Sequence, residues 1–144
     1  MPRLLGDDFL LPTLGPHTKT YFTAGSIQIQ FCKDCGHAQH PPDDLCYACR
    51  SRNLEYRTMA GTGRVESVCL VHHPVHPALK TKVPYPIAVI SVDGAPGCHV
   101  LGNVTGCAPE AVAIGDRVRA YFDEVKHPQT GVTLRIPTWE RAAG

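Results

Sequence analysis

Cys32-Lys33-Asp34-Cys35 and Cys46-Tyr47-Ala48-Cys49 are the stretches on which the reading of this chain turns. Two CxxC pairs, parted by residues 36–45, can wrap four thiolates round one tetrahedral Zn²⁺ with Zn–S distances of about 2.3 Å. In each pair the backbone must turn sharply so that both sulfurs point inward. Gly36, directly after the first pair, suits that turn because it has no Cβ to resist a positive φ. Arg50 stands in the matching place after the second pair. The spacer holds Pro41-Pro42-Asp43-Asp44, a turn-rich tip that brings the pairs together. It is shorter than the roughly 15–20 residues of the commonest zinc spacing, yet long enough for a small ribbon. Two disulfides or a redox dithiol would use the same residue types. Redox CxxC motifs usually come singly on a βα unit, which this region does not resemble. With four protein ligands, Cys32, Cys35, Cys46 and Cys49, the site is closed, so the expected Zn²⁺ is structural and not catalytic.

Upstream, residues 1–16 carry Pro2, Pro12 and Pro16 and show no sustained period. They read as an extended arm that hangs free or lies along a partner. Residues 18–24 can form a short helix that offers Tyr21 and Phe22 for burial and ends at Gly25. Ser26 to Phe31 alternates polar and apolar, a strand leading into the first knuckle, and Leu54 to Arg57 alternates again and closes the ribbon. The arm and helix are assigned to residues 1–25, the zinc ribbon to 26–58 and a third unit to 59–144.

That third unit reads as all-β. Gly61-Thr62-Gly63 opens a strand that continues to Val71, with a slip in alternation near Val68 that predicts a bulge. Ile87 to Val92 is an almost unbroken apolar run, as in a strand buried on both faces. Asp93 to Gly97 is a hairpin signal. Cys98 to Val104 follows, with Cys98, Val100 and Val104 on one face, and then a helical turn at Pro109–Ile114. Arg117 to Val125 sets Val118, Ala120 and Phe122 on one side. After a polar turn, Val132 to Ile136 is the last strand. Five strands with a helical turn between the third and fourth predict a five-stranded OB-fold barrel. The fold class is therefore all-β, a short N-terminal helix and four-Cys zinc ribbon followed by that barrel.

Net charge is +1, and the chain is close to neutral on both sides of residue 60. This balance argues against a nucleic-acid footprint or an anionic membrane surface. The rival class, a single-stranded nucleic-acid-binding module, needs stacking aromatics on the barrel face and a basic groove. After residue 60 the aromatics are Tyr85, Tyr121, Phe122 and Trp139. No window approaches the roughly 18 apolar residues of a membrane span, and no basic segment precedes an apolar run at the N-terminus, so a cytoplasmic location is expected. Cys69, Cys98 and Cys107 are expected to be reduced, packed thiols.

The connection between the first two barrel strands, His72 to Pro86, is the other informative stretch. Pro74, Pro77, Pro84 and Pro86 hold it extended, while His72, His73, His76, Lys80 and Lys82 supply donors and positive charge. In OB-folds this loop commonly lines the binding face. It reads as a loop touching an anionic or carbonyl-bearing ligand or a partner, with Tyr85 beside it. A solvated loop whose prolines merely limit its entropy would look the same. The proline-broken spacing of its histidines does not support a second metal.

In this order of elements the chain resembles the zinc-ribbon/OB-fold acyl-CoA-associated family (domain of unknown function thirty-five). The resemblance rests on Cys-x-x-Cys-Gly at 32–36, Pro41-Pro42, Cys46-x-x-Cys49, Gly61-Thr62-Gly63-Arg64-Val65 and Pro84-Tyr85-Pro86. Leu101-Gly102-Asn103-Val104, Ile114-Gly115-Asp116-Arg117-Val118 and a closing Trp139 after Pro137 complete it. The resemblance implies a non-catalytic accessory subunit of a thiolase-superfamily enzyme: a thiolase, a hydroxymethylglutaryl-CoA synthase, or a lipid-transfer-protein-like aldolase, as in sterol side-chain breakdown. Its implied role is to help bind or channel acyl-CoA.

Overall fold

The computed structural model describes residues 11–143. Residues 1–10 of the expected arm lie outside the described residues, and residues 11–16 carry neither helix nor strand. The Thr18 hydroxyl accepts from the Gly15 N–H (2.8 Å) and donates to the Thr13 carbonyl (2.8 Å), turning the chain into helix α1 (Lys19–Thr23). Gly25, at φ +72°, ends the helix as its sequence position predicts. Arg135 donates to the Thr23 carbonyl (3.0 Å), a helix-end acceptor that would otherwise lack a partner, and ties α1 to the far end of the chain.

Strand β1 (Gln28–Cys32) is the centre of a three-stranded antiparallel sheet, with β2 (Ala38–Gln39) on one side and β3 (Leu54–Thr58) on the other. β2 lies inside the spacer, and two residues are too few for a period to show in sequence. The second sheet contains β4 (Thr62–Val71), β5 (Tyr85–Val92), β6 (His99–Gly102), β7 (Val104–Thr105), β8 (Arg117–Lys126) and β9 (Thr133–Arg141). Its order is β6-β5-β4-β8-β9-β7, antiparallel throughout except between β7 and β9.

β6 and β7 occupy opposite edges of this sheet yet are successive in sequence, parted only by Asn103. The third strand of the OB-fold thus leaves β5 at one edge and reaches β9 at the other. The ladder stays open there and the chain itself spans the gap. Asn103 secures the crossing: its Nδ2 donates to the Pro86 carbonyl (2.9 Å) and its own carbonyl accepts from the Trp139 N–H (3.0 Å). With a 3₁₀ turn at Pro109–Ala111 between the third and fourth strands, the expected OB-fold is present, its third strand broken in two.

The expected bulge is present, between Val65 and Ser67, just ahead of Val68. Glu66 and Ser67 are exposed in succession, and that doubled exposure is the mark of the extra residue. β5 is not buried on both faces: Ala88, Ile90 and Val92 are buried, while Ile87, Val89 and Ser91 are only half-buried. The last strand does not stop at Ile136 but runs through Pro137 to Arg141. β7 pairs with β9 only from Trp139 onward, so Pro137 sits where that side of β9 needs no donor.

Ile27, just ahead of β1, and Ile29, Phe31 and Ala38 from the first sheet join Val65, Ala88, Ile90, Val100, Val118 and Trp139 from the second in a single buried cluster. The ribbon therefore packs into the OB-fold core and is not a tethered appendage. Among the described residues no helix is long and apolar enough to cross a membrane.

Candidate functional site

The two knuckles repeat one backbone design. Cys32 N–H donates to the His37 carbonyl and Cys46 N–H to the Ser51 carbonyl, each at 2.9 Å. Gly36 N–H returns to the Cys32 carbonyl and Arg50 N–H to the Cys46 carbonyl, again at 2.9 Å. Gly36 has φ +77° and Arg50 has φ +64°, so the place after each pair demands the left-handed region. Arg50 is the sole non-glycine residue at positive φ among those described. A side chain there costs roughly 1–2 kcal/mol. Arg50→Gly is expected to raise stability by about 0.5–1 kcal/mol, part of the relief being lost to the greater freedom of glycine in the unfolded chain. Urea unfolding of the metal-loaded protein checks it, and an unchanged or lower midpoint would show that the Arg50 side chain makes good the strain.

These turns bring the four expected ligands together. Cys32 and Cys49 sulfurs lie 3.6 Å apart, as do those of Cys35 and Cys46, and all four fall within 4.8 Å of one another. A tetrahedral ion with Zn–S bonds of about 2.3 Å sets its sulfurs about 3.8 Å apart, so the cage has the size zinc needs. Backbone donors favour thiolate at the first cysteine of each pair. The Cys49 N–H, with that of Ala48 assisting, brings the Cys46 thiol down to about 7, and the Cys35 N–H lowers that of Cys32. Four sulfurs and no water-binding position make this a structural zinc site.

Two buried glutamines hold the spacer, and neither was singled out by the alternating pattern that carries Gln30. Gln39 Nε2 donates to Gln30 Oε1 (2.6 Å) and to the Leu45 carbonyl (3.0 Å), and Gln39 Oε1 accepts from the Tyr47 N–H (2.9 Å). Gln30 accepts from the Asp43 N–H and donates to the Asp43 carbonyl, both at 2.9 Å. The spacer tip is thus bound by side-chain amides instead of by a strand ladder. Asp34 links the knuckles by accepting from Ser51 and from Asn53 Nδ2 (2.9 Å), and these bonds hold its carboxyl below the usual range.

The loop between β4 and β5 presents a different chemistry. His72, His73, Lys80 and Lys82 are exposed. His76 is used locally: its Nδ1 accepts from the Ala78 N–H (3.1 Å) at the start of a 3₁₀ turn, Pro77–Leu79, whose Leu79 is buried. Tyr85 is buried, because β5 begins two residues before the apolar run that marks it in sequence. Of the six residues expected to face a ligand or partner, four are therefore open to solvent.

Two family models match the chain. Residues 27–55 match the family model described as ChsH2, rubredoxin-like zinc ribbon domain, and residues 56–123 the one described as ChsH2, C-terminal OB-fold domain. The chain is 34% identical over 97 residues to a DUF35 domain-containing scaffold protein of Methanocaldococcus jannaschii, covering 66% of each chain. It is 37% identical over 89 residues to a probable enoyl-CoA hydratase alpha subunit of Thermomonospora curvata, covering 62% of this chain. The chain spans 27% of the length of that hydratase subunit and 66% of that of the scaffold protein. Among solved structures it is similar to a chain of an Ltp2-ChsH2(DUF35) aldolase, with TM-score 0.77 and 29% identity over 92% of this chain and all of that one.

Proposed function

The chain belongs to the DUF35 family of zinc-ribbon/OB-fold proteins, and from that membership we propose that it is a non-catalytic accessory subunit of a thiolase-like enzyme, helping it to hold and pass on an acyl-CoA. The observation that carries this reading is the likeness, over 92% of the chain, to a component of an aldolase assembly. The closed zinc site supports it, since a metal with four protein ligands has no position left for substrate. The loop supports it too, because Lys80, Lys82, His72 and His73 place positive charge and donors at one end of the OB-fold, where phosphates of a CoA ester would be attracted.

Co-purification from the native cell, read by mass spectrometry, is expected to bring down a thiolase-like subunit with this chain. In the reconstituted complex, Lys80→Ala/Lys82→Ala is expected to raise KM for the CoA ester about 2- to 5-fold at low salt while kcat is nearly kept, as exposed ion pairs contribute roughly 0.2–1 kcal/mol each and are screened by salt. Removing residues 1–16 is expected to weaken complex formation. Recovery of the chain without any such enzyme, together with submicromolar and steeply salt-dependent binding of mixed single-stranded oligonucleotides, would replace this reading with that of a nucleic-acid-binding module. A large kcat loss from His73→Ala would make the subunit a participant in the chemistry.

A further inference from the structure

Helix α1, the ribbon spacer and strand β6 meet at a groove of 420 Å³ that the metal centre does not reach. Each unit contributes for a local reason. α1 sets Tyr21 and Phe22 side by side, their rings edge to face at 5.1 Å and 87°. The spacer brings His40 to 5.0 Å from the Tyr21 ring. In β6 the side chains alternate, so Val100 enters the core while His99 and Leu101 point out into the groove. Leu101 is 70% exposed as one wall of this concavity, and the volume falls in the range of about 300–1,000 Å³ usual for small-molecule sites.

The charges around the groove select the ligand. Among the described residues no lysine or arginine lines it. Two carboxylates adjoin it without lining it: Asp43 and Asp44 cluster with His17, Asp44 at 3.2 Å from its imidazole. Burial holds the His40 imidazole below its usual range and pushes the Tyr21 hydroxyl up to about 12, so both are neutral at pH 7. Among the described lining residues a phosphate would find no lysine or arginine, and an ammonium group no carboxylate. What remains is an apolar, aromatic-walled slot with imidazoles that can donate a hydrogen bond.

We infer that this groove binds the neutral acyl portion of a thioester, with the chain against Phe22 and Leu101 and the carbonyl facing an imidazole. The inference rests on the acyl-CoA reading above for the source of the ligand, and it separates two tasks: charge on the loop for the nucleotide end, and this slot for the acyl end.

Octanoyl-N-acetylcysteamine, a thioester that lacks the nucleotide, is the discriminating probe. Titrated into the whole zinc-loaded chain and followed by the imidazole C–H resonances of its eight histidines, it is expected to shift His17, His40 and His99 saturably and to leave His72 and His73 in place. Leu101→Asp, at a position exposed enough to leave the melting temperature nearly unchanged, is expected to raise Kd at least 5-fold; Phe22→Ser should do the same. Coenzyme A without an acyl group is expected to leave the three groove resonances unmoved. If neither variant changes Kd, or the probe moves none of the three, the groove assignment falls. If octanoyl-CoA shifts His72 and His73 alone, the groove assignment falls while the acyl-CoA reading stands. Groove shifts with the neutral thioester, in a chain that associates with no thiolase-like enzyme, would uphold the groove and overturn the accessory-subunit reading. Protection of the three histidines only upon adding the enzyme subunit would make the groove a docking surface and overturn the inference.

Discussion

Cys46→Ser is expected to reduce bound zinc from about one equivalent per chain to a small fraction, and to unfold more than the ribbon. Structural zinc in small cysteine modules carries an apparent binding free energy on the order of 10–16 kcal/mol at neutral pH, and where no site exists in the unfolded chain that energy is folding energy. Cys46 is buried, its sulfur stands 3.6 Å from that of Cys35, and among the described residues no fifth ligand joins the cluster. The shared core spreads the effect. Ile27, Ile29 and Phe31 are buried against the same cluster as Val65 and Trp139, and loosening β1 exposes apolar surface of the OB-fold as well. Elemental analysis beside thermal unfolding of parent and variant checks both parts. A metal-free parent with Cys32–Cys35 and Cys46–Cys49 oxidised, melting where the loaded protein melts, would sink the zinc assignment. Loss of metal with the OB-fold melting unchanged would refute the shared-core argument alone.

Gly102→Ala is the second large effect expected, about 2–4 kcal/mol of stability lost through a single methyl group. A Cβ built at Gly102 would stand 2.4 Å from Trp139 Cδ1 and 2.8 Å from its Nε1, contacts that real structures do not tolerate. The indole cannot retreat, because Trp139 has no exposed surface and sits in the core cluster between the two edges of the sheet. Overpacking a filled core typically costs about 1–3 kcal/mol, occasionally more, and here the backbone of β6 must also shift. Trp139→Phe provides the control. It opens space beside residue 102 and removes a buried indole N–H that has no partner among the described residues. Gly102→Ala is therefore expected to cost distinctly less in the Trp139→Phe background, a coupling of about 0.5–3 kcal/mol in a double-mutant cycle by urea unfolding. Strict additivity would mean that the indole is not what excludes a side chain at 102.

How much of this was legible beforehand depended on the range of the interaction. The metal ligands were readable because chelation by two short loops is local: four cysteines at CxxC spacing specify the ion with no knowledge of what surrounds them. The strands were readable wherever one face is buried, since alternation then appears in the residues themselves, as with Val118, Ala120 and Phe122. Positions of special backbone were half readable. Gly36 announced its positive φ by residue type, whereas Arg50 was marked only by its matching place after the second pair, and the hydrogen bond back to Cys46 shows that it adopts the same geometry.

The remainder was decided by contacts distant in sequence. Nothing local says that Gln30 is buried where Gln28 is not; the spacer folding over it makes the difference, and its amide is satisfied by Asp43. The run from Cys98 to Val104 reads as one strand and is split, because the two edges it must join lie on opposite sides of a curled sheet and Asn103 has to bond to both. Gly102 and Trp139 could be recognised as marks of a family, yet the reason they belong together is that a Cβ at 102 would stand 2.4 Å from the indole of a residue thirty-seven positions on. His17, His40 and His99 show no spacing at all, and only the packing of helix, ribbon and sheet sets them round one groove. Chain-local chemistry determined the zinc site and the strands; the pairing of surfaces, which no short window contains, determined the core, the crossing and the groove.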